Sequence, residues 1–371
     1  MDPRALQHSF APLLAPLGAG YKTIMALRRA FWEYRNPAPP ACPCVAVGNI
    51  CWGGAGKTPV VDWLLGNTLA RGLRPAVLTR GYGARPPRLP FEVTPEASPA
   101  EAGDEPLMLC QRHPGATILV DPVRTRAARL ALGKHRPDLL VLDDGFQHLA
   151  VGRHLNLVLL RPEDLRGEWD NVIPAGSWRE GKSALSRADA FLIKADTASM
   201  RLLMPQIIHH LRAFKKPLFS FILRPGLLRR VGAACQKPPD GPYLLLSGVG
   251  APAQVRTTAS RLMRRPPEEH LTFPDHHACT EKEIEAIAAR KLPVLCTSKD
   301  AVKLAGSGLN LWEMPVVTVF GPSLWSDRPF PDWWGNWLDS ALEAEKLNIR
   351  IPAPEGFDAS AEALASEENT R

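Results

Sequence analysis

A glycine-rich loop constrains the fold of this chain more than any other feature of its sequence. It reads Gly48-Asn-Ile-Cys-Trp-Gly-Gly-Ala-Gly-Lys-Thr58 and joins a predicted strand, residues 45–48, to a predicted helix, residues 58–71. In such a loop, backbone N–H groups bind phosphate oxygens, a lysine reaches the β- and γ-phosphates, and a hydroxyl holds Mg²⁺. The predicted nucleotide-binding residues are Gly53, Gly54, Ala55, Gly56, Lys57 and Thr58. A purely structural turn is the alternative interpretation, and Cys51, which replaces the glycine of the usual pattern, makes the loop a variant.

Short apolar runs alternate with predicted helices along most of the chain. Besides residues 45–48, the runs predicted as strands are 76–79, 118–120, 139–142, 157–160 and 190–193. Strands joined by helical crossovers form parallel sheets with helices on both faces. The predicted fold class is therefore α/β, with a mostly parallel sheet of the P-loop NTPase type.

The chain also divides along its length. A second alternation of strands and helices begins at residue 243 and predicts a second, smaller α/β domain. The predicted units are a helix at 1–35, a P-loop domain at 36–220, a second α/β domain at 221–352 and a disordered acidic tail at 353–371.

Two adjacent aspartates, Asp143 and Asp144, end the apolar run 139–142. An acidic residue at the carboxyl end of a strand beside the glycine-rich loop is the position of a second Mg²⁺ contact in P-loop sites. The pair therefore predicts metal binding, although capping of a turn is the alternative.

Composition narrows the choice of partners and location. The formal net charge of +7 suits nucleic acid, an anionic membrane surface or a phosphorylated substrate. The sequence contains no recognised nucleic-acid-binding module, so we expect no nucleic-acid partner. The seven cysteines are odd in number and form no CxxC pair, which argues against a disulfide framework or a structural zinc site. These features favour a reduced, cytoplasmic location.

The N-terminal segment, residues 4–35, has an amphipathic pattern. Its apolar residues recur at steps of three and four and are Phe10, Leu13, Leu14, Leu17, Tyr21, Ile24, Phe31 and Trp32. Pro12 and Pro16 are expected to confine the regular helix to residues 17–35. No run of 18 apolar residues and no signal peptide is evident. The helix either packs on the domain or lies in a membrane interface, and the sequence leaves both readings open.

Further motifs follow the glycine-rich loop in order over residues 1 to about 340, and together they resemble the tetraacyldisaccharide 4′-kinase family. Besides the loop they are Thr79-Arg-Gly-Tyr-Gly83, Gly103-Asp-Glu-Pro106, Asp143-Asp-Gly-Phe-Gln-His148, Ile173-Pro-Ala-Gly-Ser-Trp-Arg-Glu180, Arg187-Ala-Asp189, Ser247-Gly-Val-Gly250, Phe273-Pro-Asp-His-His277 and Thr297-Ser-Lys-Asp-Ala-Val-Lys303. The family usually has Glu at position 298 and Thr or Ser at position 51, where this chain has Ser298 and Cys51.

The resemblance implies an enzyme that phosphorylates the 4′-hydroxyl of a lipid A precursor, with ATP and Mg²⁺ as cofactors. It also implies a glycolipid acceptor and peripheral action at the cytoplasmic face of a Gram-negative inner membrane, and we expect a monomer. Asp104 would be the general base, assisted by His276, with Lys57 neutralising phosphate charge. The remaining expected roles are metal or phosphate binding for Thr58, Glu105, Asp143, Asp144 and Gln147, and substrate binding for Arg80, His148, Arg179 and Glu180.

Two other functions compete with this one. A deviant P-loop GTPase or ATPase acting in assembly is the first, because Ile193-Lys-Ala-Asp196 approaches the guanine-reading motif, with Ile in place of the required polar residue. The second is a membrane-bound nucleotide sensor without chemistry. The presence of both Asp104 and His276 argues against a sensor, because a sensor needs no base.

Overall fold

The computed structural model describes residues 3–232, 237–275 and 277–358. Its helices are α1 (Pro3–Arg35), α2 (Lys57–Ala70), α3 (Pro99–Ala102), α4 (Asp104–Arg112), α5 (Arg124–Leu130), α6 (Thr197–Leu211), α7 (Pro252–Met263), α8 (Glu281–Ala288), α9 (Ser298–Leu304) and α10 (Phe330–Lys346). Its strands are β1 (Cys44–Asn49), β2 (Pro75–Thr79), β3 (Phe91–Glu92), β4 (Thr117–Val120), β5 (Leu139–Asp143), β6 (Leu155–Leu160), β7 (Ala190–Lys194), β8 (Leu218–Pro225), β9 (Arg229–Arg230), β10 (Leu244–Ser247), β11 (Glu269–Thr272), β12 (Val294–Thr297), β13 (Leu311–Met314) and β14 (Val316–Leu324).

The larger sheet has the order β14-β8-β7-β6-β1-β5-β2-β4-β3. Neighbouring strands from β8 to β4 are parallel, whereas the edge strands β14 and β3 are antiparallel to their neighbours. β1 lies between β5 and β6; β2 and β4 lie on the β5 side of it, and β7 and β8 on the β6 side. The carboxyl end of β1 is therefore a topological switch point, where ligands bind in open α/β sheets. The predicted parallel α/β sheet is confirmed.

Both faces of this sheet are covered, as the apolar composition of its strands requires. Side chains alternate along each strand, so Val45 and Val47 of β1 pack in the core beneath α2, α4 and α10. Ala46 points to the opposite face and packs with residues of α5. The loops at the strand ends are thereby held by cores on both sides.

The smaller sheet, β11-β10-β12-β13-β9, is parallel except for β9, and its strands lie between residues 229 and 314. The boundaries predicted from sequence, 36–220 and 221–352, differ from this arrangement. After β13 the chain returns to the larger sheet, where β14 pairs with β8 and the tryptophans of α10 pack in the main core. Local alternation of strands and helices identifies elements, but it carries no information on which sheet a strand joins.

Helix α1 is longer than predicted, because it runs from Pro3 and contains both Pro12 and Pro16. Both prolines are exposed, so the carbonyl groups that lose a backbone partner can reach solvent. Phe10–Arg35 is long and apolar enough to cross a membrane. An 18-residue stretch within it has a mean hydropathy of 1.2, and 6% of that stretch is buried inside the protein. By itself such a helix is weak evidence of a span.

One face of α1 is attached to the protein and another is bare. Gly18 is buried against Val172, Lys22 forms an ion pair with Asp170 at 2.6 Å, and Arg29 donates to Ser183. The bare face carries exposed apolar side chains, namely Phe10, Leu13, Leu17, Ile24, Leu27, Phe31 and Tyr34.

The start of the predicted disordered tail, residues 353–358, has defined contacts. The backbone carbonyl of Glu355 accepts a hydrogen bond from the Trp333 indole, and Phe357 packs on Trp325. Residues 359–371 lie outside the described part of the chain.

Candidate active site

The glycine-rich loop connects β1 to α2 with backbone conformations that require glycine. Gly56 caps α2 with φ of 89°, and Gly53 has φ of 104°. A Cβ on Gly56 would also come within 3.1 Å of the Phe221 ring. The loop therefore turns tightly over the N-terminus of α2, where unpaired N–H groups and the helix dipole favour a phosphate.

Cys51 occupies a buried position in the turn. Its Sγ accepts a hydrogen bond from Asn49 Nδ2 at 3.3 Å and donates to Asp164 Oδ2 at 3.4 Å. Burial, with a contribution from Asp164, raises the pKa of the thiol to about 12, so the group stays protonated. Cys51 thus provides a small neutral hydrogen-bonding group, as a hydroxyl at this position would.

A second segment lies against the loop and fixes it in place. The Trp52 N–H donates to the Ser177 carbonyl at 2.8 Å, and the Arg179 N–H donates to the Ile50 carbonyl at 2.6 Å. These bonds bring the Arg179 side chain to the edge of the glycine-rich loop.

The predicted metal residues Thr58, Glu105, Asp143 and Asp144 converge beside this loop. In the β1–β5 register, Val47 is opposite Asp143, which places the two aspartates next to the loop. Thr58 Oγ1 donates to Glu105 Oε2 at 2.7 Å, and Thr79 Oγ1 donates to Asp143 Oδ2 at 3.0 Å. Burial, reinforced by Glu105 and Asp144, raises the pKa of Asp143 to about 6. Hard oxygen donors of this kind suit Mg²⁺.

Lys57 lies between Asn49 and Asp144. Its Nζ donates to Asn49 Oδ1 at 3.0 Å and lies 3.4 Å from Asp144 Oδ1. Arg179 Nη1 lies 3.0 Å from both oxygens of Asp144. Burial would raise the pKa of Asp144, but Lys57 and Arg179 outweigh it and lower that pKa. Two cations thus converge on one carboxylate beside the loop.

Asp104 is the first residue of α4, and Gly103, with φ of 85°, is the cap. Gly103, rather than Asp104, therefore occupies the N-cap position of α4. The Asp104 side chain is buried and adjoins Glu105 in sequence. His276 lies outside the described residues, but its neighbour Asp275 contacts Lys299 at 3.3 Å, and Lys299 contacts Glu105 at 3.1 Å.

The predicted substrate residues fall into two groups. Arg80 is exposed, whereas His148 is half-buried near Arg124. Burial, together with the positive charges of Arg124 and Arg80, lowers the pKa of His148 to about 4. Arg179 lies at the loop, but the buried Glu180 is paired with Arg187 at 2.8 Å. Among the described residues, the ion-pair partner of Glu180 is therefore Arg187 and not Arg179.

Gln147, predicted to bind metal, faces the base of the loop. Its Nε2 donates to the Asn49 carbonyl at 2.9 Å, and its Oε1 accepts from Arg179 at 3.4 Å. In this arrangement Gln147 supports the residues that hold Lys57 and Asp144.

Comparison with known proteins places this geometry in a family. A model described as Tetraacyldisaccharide-1-P 4′-kinase matches residues 10–327. The tetraacyldisaccharide 4′-kinase of Nitratidesulfovibrio vulgaris is 52% identical over 349 residues, which are 92% of this chain and 99% of that protein. The chain belongs to the tetraacyldisaccharide 4′-kinase family.

Further relatives agree with this family. The tetraacyldisaccharide 4′-kinase of Pseudomonas paraeruginosa is 36% identical over 91% of this chain and 94% of its own length. A crystal structure of LpxK from Aquifex aeolicus in complex with ATP matches with a TM-score of 0.67 and 26% identity, over 84% of this chain and 95% of that one. The chain is therefore a kinase of lipid A biosynthesis that uses ATP.

Two residues near the glycine-rich loop and Asp143 were not among the site residues predicted from the sequence. Asn49 is the last residue of β1, and its position before the glycine-rich loop is a signal that could have identified it. Arg124 is buried at the start of α5, and its Nε has no hydrogen-bond partner within the described part of the structure. Nothing in its local sequence distinguishes Arg124 from surface arginines.

At position 298, where the family usually has Glu and this chain has Ser, a carboxylate from another part of the chain lies beside the side chain. Ser298 Oγ donates to Glu313 Oε1 at 2.6 Å, and Arg112 Nη2 donates to the same carboxylate oxygen at 2.8 Å. A carboxylate therefore still lies beside Ser298, where this kinase family usually has Glu. It comes from β13 rather than from position 298.

The motif that suggested a GTPase has a structural role. Asp196 caps α6, and its carboxylate accepts a hydrogen bond from the Ser199 N–H at 2.7 Å. A carboxylate used in this way is not directed at a guanine base, in agreement with membership of an ATP-using family.

Proposed function

We propose that the chain transfers the γ-phosphate of ATP to the 4′-hydroxyl of a tetraacyldisaccharide 1-phosphate at the loop formed by residues 53–58. The observation that carries this proposal is the convergence of Lys57, Thr58, Glu105 and Asp144 at the carboxyl ends of β1 and β5. Phosphoryl transfer depends mainly on positioning and on neutralising the charge of the transferred group, and these residues supply both.

The donor set fits a Mg²⁺ ion. Thr58, Glu105, Asp143 and Asp144 all offer oxygen atoms, and the Thr58 hydroxyl already lies 2.7 Å from Glu105. When bound, Mg²⁺ would supply positive charge that neutralises the phosphate groups. Lys57 and Arg179, which now lie against Asp144, would then be available to the β- and γ-phosphates.

Asp104 is the residue that we assign as general base. It begins α4 one position before Glu105, one of the residues that would hold Mg²⁺. Accepting the proton of the 4′-hydroxyl makes this weak nucleophile competent and contributes about 10²–10⁴-fold. His276 follows Asp275 in the sequence, and we retain it as the partner of this base.

Arg80, Arg124 and His148 form the proposed acceptor site. His148 is neutral because its pKa is lowered to about 4, so it can donate one hydrogen bond without adding charge. Arg124 has an unpartnered Nε among the described contacts and is buried beside His148. Buried arginine donors of this kind suit the phosphate that the acceptor already carries.

We propose that α1 lies in the membrane interface and that the enzyme is a peripheral monomer at the cytoplasmic face. The attached face of α1 has contacts over Gly18, Lys22, Arg28 and Arg29, which hold the helix along the body of the protein. A helix held in this way presents its bare apolar face to lipid rather than crossing the bilayer. ATP in the cytoplasm and an acceptor in the bilayer then meet at the site.

The test is direct. The purified chain is incubated with [γ-³²P]ATP, Mg²⁺ and tetraacyldisaccharide 1-phosphate in mixed micelles, and the lipid product is analysed by mass spectrometry and NMR. A second phosphate at the 4′ position is expected. Phosphate release without labelled lipid, or a preference for GTP, would refute the proposal in favour of a nucleotide hydrolase.

A further inference from the structure

Lys299 reaches the active site from the smaller sheet. It lies in the first turn of α9, and its Nζ is 3.1 Å from Glu105 Oε1 and 3.3 Å from Asp275 Oδ1. The side chain is 20% exposed.

The position of Lys299 is built into the fold of its helix. Thr297 caps α9, and its hydroxyl donates to Asp300 Oδ2 at 2.7 Å. The buried Asp300 also accepts the Gly248 N–H at 3.0 Å and pairs with Lys303 at 2.9 Å. This network attaches the start of α9 to β10 and β12, so the base of the Lys299 side chain is fixed.

Helix α9 packs along α4, which begins at Asp104. Arg112, at the carboxyl end of α4, donates to Ser298 at 3.0 Å and to Glu313 at 2.8 Å. Lys299, next to Ser298 in the first turn of α9, pairs with Glu105 at the amino end of α4. The first turn of α9 therefore bridges to both ends of α4 and restrains α4 against the smaller sheet.

The two oxygens of Glu105 have different partners. Oε1 is held by Lys299 at 3.1 Å, and Oε2 accepts a hydrogen bond from Thr58 Oγ1 at 2.7 Å. An ion pair on one oxygen restricts rotation of the carboxylate and directs the other oxygen toward Thr58. We propose that Lys299 is a positioning residue that orients Glu105 toward the metal–phosphate position and so couples the smaller sheet to binding of Mg²⁺–ATP.

This inference rests on the proposed function for the location of Mg²⁺, but it can be tested on nucleotide binding alone. The measured quantity is the Mg²⁺ concentration at which ATP gives half of its maximal thermal stabilisation. Lys299→Met should raise this concentration about ten-fold, because one charge-assisted bond is lost. The thermal midpoint of the ligand-free protein should change little. Lys299→Arg should restore most of the Mg²⁺ response, because the guanidinium can still pair with Glu105.

Lys282→Met on α8 is the matched control, since Lys282 is exposed and its substitution removes the same charge elsewhere on the smaller sheet. A double-mutant cycle that combines Lys299→Met with Glu105→Gln tests whether Lys299 acts through Glu105. If it does, the effects of the two substitutions should be non-additive. An unchanged Mg²⁺ response, or additive effects in the cycle, would overturn the inference. A lower ligand-free midpoint with a normal Mg²⁺ response would assign Lys299 a structural role only.

These readouts separate the inference from the kinase assignment. The binding measurements contain no glycolipid, so a chain that fails to phosphorylate lipid can still show the Lys299 effect. Conversely, a chain that makes the 4′-phosphate but shows no Lys299 effect retains the proposed function and loses only this inference.

Discussion

The bare face of α1 gives a prediction whose size follows from the structure. Leu17, Ile24 and Leu27 are 62%, 64% and 67% exposed, so roughly two-thirds of each side chain is free to enter lipid. Complete burial of such a side chain is worth about 1.5–3 kcal/mol, which leaves about 1–2 kcal/mol for each residue. Changing all three to Gln should therefore weaken membrane binding by about 3–6 kcal/mol, or about 10²–10⁴-fold.

Flotation with vesicles of phosphatidylethanolamine and phosphatidylglycerol measures this loss. Gln is chosen because its helix propensity is close to that of Leu, so α1 itself should be preserved. The thermal midpoint should not fall, since the three side chains are not part of a core. Activity should drop on vesicle-embedded acceptor and much less on detergent-dispersed acceptor.

The control variant carries Gln at Leu202, Leu227 and Leu347, which are 71%, 89% and 63% exposed and lie outside α1. It removes similar exposed apolar surface and should float like the unmodified protein. Equal flotation of both triple variants would refute the interfacial role of α1. Resistance of the α1 variant to extraction by alkaline carbonate would instead indicate a helix that crosses the bilayer.

The other predictions concern the site itself. Lys57→Ala should lower kcat by at least about 10²-fold with an unchanged thermal midpoint, because our proposal has Lys57 neutralise phosphate charge; near-normal activity would contradict the nucleotide site. Asp104→Asn should lower kcat by about 10²–10⁴-fold with little change in ATP affinity, as loss of a general base predicts, and an intact kcat would exclude that role. Asp143 has a pKa raised from 3.8 to about 6, so its contribution to stability is complete below pH 3.8 and is lost as pH rises through 6. Asp143→Asn should therefore raise the free energy of unfolding in urea, without Mg²⁺, by up to about 3 kcal/mol at pH 7.5 and by less at pH 5; equal gains at both pH values would contradict this account.

The local sequence around the glycine-rich loop determined the strand–loop–helix unit and the position of the acidic pair. The spacing of Gly53, Gly56, Lys57 and Thr58 after an apolar run predicts the strand–loop–helix unit, and the structure has it as β1, the loop and α2. The same holds for Asp143 and Asp144, since a strand that ends in carboxylates must present them at the sheet edge. These predictions succeeded because each depends on residues that are adjacent along the chain.

Other features were decided only when distant segments packed together. The segment 221–352 was predicted as one α/β unit, yet β14 joins the larger sheet and α10 packs on it, because β14 pairs with β8 across about 90 to 105 residues of chain. Arg124 became a candidate site residue only through burial beside Asp143 and His148. Its neighbours in sequence predict an ordinary helix start.

The N-terminal segment and Lys299 illustrate the same division. The sequence by itself determined that α1 has an apolar stripe, because that follows from the helical period. Only the tertiary structure decided which face is bare, since contacts with Asp170, Val172 and Ser183 occupy the other. Likewise Lys299 lies about 190 residues from Glu105 in the chain, and their 3.1 Å contact exists because α9 packs on α4. Periodicity and motif spacing are local properties, whereas the partner of a charged side chain depends on long-range packing.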